Sequence, residues 1–352
     1  MPRKLVTVQT ISSLEEIAGA DKIVLARMQD NAWQVVVKKD DFKVGDKAIY
    51  FEIDSFLPAD NPAFQFLGER GRKVMDGVTG YVLKTIKLKG VLSQGLLLPI
   101  SHFDHEVEGN DLTEFFRVVV YEPPHSNVMV PNGKVQRNFP AFLPKTEQER
   151  IQNCPQFLSR YKEVRFEVTV KMDGSSMTAY LKDDVFGVCS RNLEIDRPDA
   201  DSKNQFWDMA TKYNLEEHMR RVGKNMAVQG ELVGEGIQKN RAAIKGRRFM
   251  VFDVFNIDEQ RYLTPRERYE YCFAICAEHV PRIDDAKPLN DFASVDEILA
   301  FAEGEGFNNK EREGLVFKST QQVEVSQGPH KPSIQTIISF KAISNRYLLN
   351  EK

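Results

Sequence analysis

The sequence predicts an α+β fold with an N-terminal β-barrel followed by a domain of antiparallel sheets and helices. At about 100–200 residues per domain, a chain of 352 residues holds two or three domains. Short alternating apolar runs fill the first 105 residues, whereas later strand-like runs are interspersed with capped amphipathic helices. A hydrophobic content of 41% is enough for both domains to bury a core.

The barrel is predicted over residues 1–105 and a connector over 106–144. About five strands in that length fit an OB-fold, a partly open barrel that binds oligonucleotides. Turns rich in Gly, Asp and Asn separate the strands, and prolines mark the connector as turns and extended chain. The predicted strands are Leu5–Val8, Ile23–Arg27, Trp33–Val37, Lys47–Ile53 and Gly80–Leu88.

Residues 145–352 are predicted to form the second domain, where helices and strands mix. Capping boxes predict helix starts at Thr146, Thr264 and Ser294, and the first of these helices should end near Pro155. Apolar alternating runs predict strands, and these are Arg165–Val170, Phe249–Phe255 and Gly314–Lys318.

Composition excludes several functional classes. The chain has no apolar run near the ~18 residues of a membrane span and no GxxxxGK[ST] phosphate loop. A net charge of −3 argues against a uniformly basic nucleic-acid coat but leaves local basic patches open. The four cysteines form no CxxC pair, and the HxxH of His102 and His105 has no evident third ligand. We expect a cytoplasmic monomer, with organellar and nuclear locations left open.

One stretch, KMDG at positions 171–174, organises the second half of the chain. Lys171 ends a predicted strand and enters an Asp-Gly turn. A lysine becomes a nucleophile when burial or nearby positive charge lowers its pKa from about 10.4. Taken alone, the stretch is equally compatible with a surface lysine beside a turn.

Five further short motifs follow KMDG in order, and together the six resemble the covalent nucleotidyltransferase superfamily of polynucleotide ligases and mRNA capping enzymes. They are RN at 191–192, GE at 230–231, the strand around Phe252, EG at 313–314, and Lys341. The GELVG and FDVF runs are most similar to the ATP-dependent RNA ligase 2-like branch with an N-terminal OB domain. DNA ligases and capping enzymes place that domain after the last motif, where only eleven residues follow Lys341.

The resemblance implies an ATP-grasp-like nucleotidyltransferase domain that joins 3′-hydroxyl and 5′-phosphate ends of RNA, with nicked duplexes the expected substrate. Lys171 would become a lysyl-AMP, and Lys341, Arg191 and a divalent cation would lower its pKa. Mg²⁺ or Mn²⁺ would be held by Glu313 and Asp173, since hard cations prefer oxygen ligands. The alternatives are a capping or DNA-ligase enzyme and a non-catalytic nucleic-acid-binding protein with a degenerate ligase fold.

The same resemblance assigns the nucleotide-binding residues. Phe252 would stack on adenine, although core packing remains open because Phe252 alternates with Met250 and Val254. The expected ATP-binding set is Lys171, Arg191, Asn192, Glu231, Phe252, Glu313, Lys318 and Lys341. Ser339 stands where some RNA ligases have a further lysine, and Lys318 or Lys331 is expected to replace it.

Nucleic-acid contacts are expected from basic residues in both predicted domains. Lys87 and Lys89 alternate with Leu88 and would share one sheet face, which is either a phosphate-tracking surface or merely solvated. A second basic run follows the GELVG motif and has the same two interpretations. Its candidate phosphate contacts are Lys239, Arg241 and Arg247.

Overall fold

A computed structural model describes residues 3–69, 71–100, 111–122, 137–199, 204–326 and 332–350. His102, His105 and Lys331 lie outside the described residues, as does much of the predicted connector. The chain forms two compact units. The first contains Met1–Val128, Gln152–Pro155 and Leu348–Lys352, and the second contains Met129–Ile151 and Gln156–Tyr347.

The first unit is built from short antiparallel strands, as the alternating sequence predicts. Its strands are β1 (Val6–Glu16), β2 (Ile23–Met28), β3 (Gln34–Lys38), β4 (Lys47–Phe51), β5 (Ser55–Pro58), β6 (Lys73–Met75), β7 (Val78–Val82), β8 (Thr85–Leu88), β9 (Val91–Gln94), β10 (Leu96–Pro99) and β11 (Val119–Val120), with a 3₁₀ helix at Pro62–Leu67. The sheets run β10-β4-β1-β2-β3 and β11-β5-β7-β6, with β8-β9 as a separate hairpin.

A short segment far along the chain completes the first unit. Trp33 is fully buried, and its indole Nε1 donates to Asn153 Oδ1 at 2.5 Å. Asn153 in turn donates to Glu52 Oε2 at 3.2 Å. Residues 152–155 therefore satisfy buried polar groups of the barrel, as a buried indole N–H requires.

The predicted helix after Thr146 is wrong. Strand β13 (Glu149–Arg150) and one 3₁₀ turn at Ile151–Asn153 occupy this stretch. Within the second unit, β13 pairs in parallel with β26, which places Arg150 opposite Lys341. The next residues, Gln152–Pro155, belong to the first unit. Long-range strand pairing thus overrides a local capping pattern, which is only a weak preference.

The predicted strand Gly80–Leu88 is also wrong, because β7 and β8 are separate strands in different sheets. Strands β8 and β9 form a hairpin whose turn residues, Lys89 and Gly90, have φ of 48° and 87°. A two-residue turn with left-handed φ at both positions fits the twist of a hairpin. Lys89 therefore lies in the turn and does not share a strand face with Lys87 by alternation.

The second unit mixes sheets and helices. Its strands are β12 (Arg137–Asn138), β13, β14 (Arg165–Lys171), β15 (Ser175–Lys182), β16 (Val185–Cys189), β17 (Leu193–Ile195), β18 (Met226–Gly234), β19 (Arg247–Asn256), β20 (Arg261–Tyr262), β21 (Glu278–His279), β22 (Arg282–Pro288), β23 (Gly314–Ser319), β24 (Val323–Val325), β25 (Ile334–Thr336) and β26 (Ser339–Ile343). Its helices are α1 (Phe157–Arg160), α2 (Gln205–Lys212), α3 (Leu215–Val222), α4 (Pro265–Ala274), α5 (Val295–Ala302) and α6 (Asn345–Leu349), whose last residues belong to the first unit, with 3₁₀ turns at Leu289–Asp291 and Phe307–Asn309.

Two of the predicted helix starts are confirmed. Thr264 and Glu267 form a reciprocal capping box at the start of α4. Ser294 caps α5, because its Oγ accepts a hydrogen bond from the backbone N–H of Glu297 at 3.3 Å. Both helices therefore begin where the sequence predicts.

Two sheets carry this unit and meet at the KMDG segment. The larger runs β12-β17-β16-β15-β18-β19-β20 with β21 beside β19, and the smaller runs β13-β26-β23-β14-β22. Lys171 is the last residue of β14 in the smaller sheet, and Ser175 is the first of β15 in the larger sheet. The four-residue motif is therefore the link between the two sheets.

The two faces of the smaller sheet differ in chemistry. Phe166, Phe317 and Phe340 are fully buried on one face, where the rings of Phe317 and Phe340 stack 4.6 Å apart. Directly opposite residues of antiparallel strands point to the same face, and the register pairs Lys171 with Gly314 and Lys318 with Ser339. The second face therefore carries the polar residues Glu167, Lys171, Lys318, Ser339 and Lys341.

Within the described residues, no helix is long and apolar enough to cross a membrane. The cysteines Cys154, Cys189, Cys272 and Cys276 form no disulfide in the structure.

Candidate active site

Two glycines let the backbones approach closely around Lys171. A Cβ added to Gly174 would lie 2.2 Å from the carbonyl oxygen of Leu232, and one added to Gly314 would lie 2.2 Å from that of Ala342. Neither Gly174 nor Gly314 is among the glycines with a left-handed φ. The Asp-Gly pair of the motif is thus explained by close packing of strands.

Lys171 makes an ion pair with Glu313, with Nζ to Oε1 at 2.7 Å. Burial acts to lower the pKa of Lys171, but Glu313, Glu231 and Asp173 outweigh burial and the net pKa is raised. The sequence-based expectation of a lowered pKa invoked Lys341, Arg191 and a divalent cation, and it stays a prediction for the protein with its cation bound. The ammonium faces three carboxylates, which favour its charged form.

The carboxylates of this cluster are themselves perturbed. Burial raises the pKa of Glu231 to about 8, and Glu313 and Asp173 add to the effect. Burial also raises the pKa of Glu313, against the opposing charge of Lys171. Oε2 of Glu313 is buried without a hydrogen-bond partner among the described residues. Three carboxyl groups therefore crowd around the Lys171 ammonium, and one carboxylate oxygen lacks a donor.

These two features fit a divalent cation, because hard cations bind carboxylate oxygens and Glu313 Oε2 has no partner among the described residues. Among the described residues, however, no group of three or more His, Cys, Asp or Glu side chains is arranged to hold a metal ion. A cation would therefore take ligands from Glu313 and Asp173 together with oxygens of water or phosphate, as Mg²⁺ commonly does.

Asp173 accepts a hydrogen bond at Oδ2 from the hydroxyl of Tyr347. The guanidinium of Arg241 lies 4.1 Å from the centre of the Tyr347 ring, and its Nη1 donates to the Tyr347 carbonyl at 3.4 Å. Sequence reasoning missed Tyr347, and a lone tyrosine six residues after Lys341 carries no motif that would have indicated it. Arg241, predicted to contact nucleic acid, thus contacts Tyr347 in the free protein.

The remaining nucleotide-site predictions are distributed around this cluster. Lys341 lies on β26, and its charge acts on the Glu313 carboxyl. Arg191 is exposed beyond β16, 3.9 Å from Glu147, and its charge acts on Glu231. Asn192 accepts from Lys145 Nζ at 3.0 Å. The structure therefore brings Lys341 and Arg191 to the carboxylates, and places Asn192 beside Arg191.

Phe252 lies at a β-bulge. The register of β18 and β19 shifts between Gln229 and Gly230, so that Phe252 is the extra residue of β19. It is partly buried against Met172 and Met250, whereas Val254 packs in a different core. The predicted alternation of Phe252 with Val254 is therefore wrong, because a bulge reverses the side-chain faces beyond it.

Lys318 is fully buried in a network of its own. Its Nζ donates to the carbonyl of Phe252 at 2.6 Å and pairs with Asp253 Oδ1 at 2.6 Å. Burial lowers the pKa of Lys318 to about 8, against the opposing charge of Asp253. Since Lys318 lies directly opposite Ser339, it occupies the same part of the sheet face as the position that lacks a lysine.

An arginine and a glutamate that sequence reasoning missed extend this network. Arg268 is fully buried, pairs through Nη2 with Glu167, and donates from Nε to His279 Nε2 at 2.9 Å. Burial and the charge of Arg268 lower the pKa of His279 to about 3, so the ring is neutral and donates from Nδ1 to the Val280 carbonyl at 2.6 Å. The sequence pattern of α4 did not indicate that Arg268 would be buried.

The other predicted nucleic-acid contacts lie on exposed or half-buried chain. Lys87, Lys89 and Lys239 are exposed. Arg247 begins β19 and donates from Nε to the carbonyl of Glu235 at 3.0 Å. These positions leave the lysine side chains accessible to a ligand.

The first unit is a barrel of the OB type, and the second is a two-sheet domain with Lys171 where its sheets meet. This arrangement is that of a polynucleotide ligase with an N-terminal OB domain, and comparisons with known proteins agree. A model of an OB-fold domain matches residues 5–100, and the RNA ligase family model matches residues 164–334. The chain belongs to the RNA ligase family. Its predicted fold, an N-terminal OB-fold domain and a mixed ligase domain, is confirmed.

Among solved structures, the chain is similar to the RNA ligase of Naegleria gruberi. A variant of that protein solved with AMP and Mn has 39% identity and a TM-score of 0.86, with 99% of each chain covered. A variant solved with ATP and Mn has 39% identity and a TM-score of 0.85, again with 99% of each chain covered. None of the curated proteins compared with the chain matches it.

Proposed function

We propose that the chain is an ATP-dependent RNA ligase that joins a 3′-hydroxyl to a 5′-phosphate, with Lys171 as the residue that carries AMP. The cluster of Lys171 with three carboxylates at the junction of two sheets is the observation that carries this proposal. The similarity to a Naegleria ligase solved with ATP and Mn supports the nucleotide and the cation. Residues 145–352 would form the catalytic domain and residues 1–105 the RNA-binding one.

The first step consumes ATP. Lys171, once neutral, attacks the α-phosphorus, so that an N–P bond forms and the bond between the α-phosphorus and the α,β-bridging oxygen breaks. Pyrophosphate leaves with that electron pair, and the proton from the lysine nitrogen passes to solvent. Lys341, whose charge already reaches Glu313, stabilises the negative charge on the phosphate oxygens. Glu313 holds the ammonium 2.7 Å away before the step, so this ion pair has to open.

Adenosine is held by residues from the larger sheet. Phe252 stacks on the adenine from its bulged position, and Glu231 accepts hydrogen bonds from the ribose hydroxyls. Arg191 and Asn192, beyond β16, contact phosphate or ribose. The raised pKa of Glu231, about 8, means that its charged form becomes more populated when a cationic partner enters the site.

Glu313 and Asp173 would hold Mg²⁺ or Mn²⁺, which supplies positive charge that stabilises phosphate oxygens and offsets the excess of carboxylates. With this excess offset, the pKa of Lys171 falls. The protein therefore keeps Lys171 charged and paired until its co-substrates are bound.

The later steps act on RNA. AMP passes from Lys171 to the 5′-phosphate of RNA, and the 3′-hydroxyl then attacks that activated phosphorus and releases AMP. Nicked duplexes are the proposed substrate. Exposed Lys87, Lys89 and Lys239, together with Arg247, contact phosphates, which contributes affinity that falls with salt.

Lys318 is proposed to take the part of the lysine that Ser339 replaces. It lies opposite Ser339 on the neighbouring strand and holds the Phe252 carbonyl at 2.6 Å. Through that bond it fixes the residue that stacks on adenine, so it acts on nucleotide binding from beneath the site.

The experiment is label transfer to the protein. The full chain is incubated with Mg²⁺ or Mn²⁺ and ATP or GTP labelled at the α-phosphate, and acid-resistant label on the protein is measured. We expect label from ATP, its loss in Lys171→Ala, and its retention in Lys182→Ala, a half-buried lysine at the end of β15 that pairs with Asp183. Label from GTP alone would indicate capping chemistry, and no label from either nucleotide would overturn the proposal.

A panel of nicked duplexes then tests the substrate. RNA or DNA is placed on each side of the nick, and joined product is measured at two salt concentrations. We expect sealing when the 3′-hydroxyl strand is RNA. Sealing of DNA-only nicks at the same rate would contradict RNA specificity.

A further inference from the structure

Strand pairing within the KMDG segment does not fix the orientation of the Asp173 side chain. Strand pairing fixes Lys171 opposite Gly314 and Ser175 opposite Leu232. The residues between, 172–174, belong to neither sheet. A carboxylate on such a link needs another contact to hold one orientation, because side-chain freedom costs free energy when it is lost.

Tyr347 supplies that contact. Its hydroxyl donates to Oδ2 of Asp173, and its side chain is 6% exposed. Buried tyrosine hydroxyls commonly donate to the nearest acceptor, but this acceptor is two residues from Lys171.

Tyr347 is itself held from two directions. Its backbone N–H donates to Ser344 Oγ at 3.1 Å, and the Ser344 N–H donates to the Glu313 carbonyl at 2.9 Å. The guanidinium of Arg241 lies over its ring at 4.1 Å, a cation–π contact. The ring is therefore tied both to the backbone of Glu313 and to the loop at 235–246.

The same loop reaches the KMDG segment a second time. Gln238 donates from Nε2 to the carbonyl of Gly174 at 3.3 Å. The loop thus contacts the segment directly through Gln238 and indirectly through Arg241 and Tyr347.

We propose that Tyr347 is a positioning residue that orients the Asp173 carboxylate toward the divalent cation, with Arg241 holding the tyrosine ring in place. This inference rests on the proposed function, since it concerns the cation used in forming lysyl-AMP. The hydroxyl occupies Oδ2 and leaves Oδ1 as the ligand oxygen. Partners that orient a metal ligand typically set metal affinity by about 10–100-fold.

The test is equilibrium Mn²⁺ binding to Tyr347→Phe. Free Mn²⁺ is measured by electron paramagnetic resonance in the presence of α,β-methylene-ATP. We expect affinity about tenfold weaker than in the wild-type protein, with binding of the analogue alone changed less than twofold. Tyr213→Phe is the matched control, because Tyr213 also donates to a carboxylate, Glu278 at 2.8 Å, away from the KMDG segment.

A double-mutant cycle separates positioning from general destabilisation. If Tyr347 acts through Asp173, then Tyr347→Phe weakens Mn²⁺ binding in the wild-type background but not in the Asp173→Asn background. Wild-type Mn²⁺ affinity in Tyr347→Phe, or equal losses in both backgrounds, would overturn the inference. A wild-type protein that binds Mn²⁺ with the analogue but accepts no AMP would instead count against the proposed function alone.

Discussion

Lys171 and Lys318 lie on one face of the same sheet, yet their surroundings differ. Lys171 faces three carboxylates, has a raised pKa, and pairs with a glutamate whose second oxygen lacks a partner. Lys318 is fully buried with Asp253 and Arg268, and its pKa is lowered to about 8. The first group of charges is unbalanced, whereas the second is matched within the protein.

The difference separates a ligand site from its support. Three carboxyl groups in a largely buried site are costly to ionise together unless a cation or phosphate-bound metal enters, so the cluster at Lys171 is completed only by ligands. The network of Lys318, Arg268 and Glu167 needs no ligand, because each charge has a partner of opposite sign. It fixes the strand that carries Phe252.

The largest expected effect breaks the matched network. Arg268→Ala leaves Glu167 buried without its partner, which should lower the free energy of unfolding by about 3–5 kcal/mol. Urea denaturation measures it. The control is Arg266→Ala, whose side chain is 89% exposed beside Glu270 and should cost at most about 0.5 kcal/mol. Similar losses in both variants would show that the network is not what stabilises this region.

A smaller effect is expected from relieving the unmatched cluster. The folded pKa of Glu231 is about 8, above its ordinary value near 4.5, so stability falls as pH rises through this window and stays low above it. Glu231→Gln removes this cost. At pH 9 its Tm should exceed that of the wild-type protein by about 2–4 °C, and the gain should vanish near pH 5.

The control for this pH dependence is Glu235→Gln, an exposed glutamate four residues further along the chain. Its Tm should follow the wild-type value at both pH 5 and pH 9. Scanning calorimetry of the wild-type protein and both variants, each at pH 5 and pH 9, measures these Tm values. A Glu231→Gln protein that is no more stable than wild type at pH 9 would contradict the account of an unbalanced cluster.

The smallest expected effect comes from introducing, at Ser339, the lysine that some RNA ligases have at this position. Ser339→Lys places a second ammonium opposite Lys318, and like charges in such cross-strand positions are destabilising by about 0.2–1 kcal/mol. If Lys318 has taken over the missing role, Lys318→Met should impair lysyl-AMP formation less in the Ser339→Lys background. Equal impairment in both backgrounds would show that Lys318 has not taken over the role of the lysine missing at Ser339.

The local pattern predicted that Lys171 ends a strand, which the structure confirms. The resemblance to the nucleotidyltransferase motifs predicted that Lys171, Glu231 and Glu313 share one site, and the structure brings their charges together. What the pattern could not give was long-range geometry. The bulge at Phe252, the hairpin turn at Lys89 and the strand after Thr146 each depend on pairing with distant chain.

The sequence did not predict which charges lie nearest Lys171, and the reason is physical. Sequence reasoning assumed cationic neighbours, but a pKa depends on which charges lie nearest in the fold, and here those are carboxylates. Tyr347 and Arg268 were missed for a related reason. Neither belongs to a motif, and each acquires its partner, Asp173 or Glu167, only through tertiary contact.

The most direct measurement is the position of AMP after reaction with ATP and Mn²⁺, found by mass spectrometry of the digested protein. A lowered pKa alone would favour Lys318, whereas access and the surrounding carboxylates favour Lys171. The account predicts one AMP on the peptide containing Lys171 and none on the peptide containing Lys318. AMP on Lys318, or on any lysine other than Lys171, would contradict it.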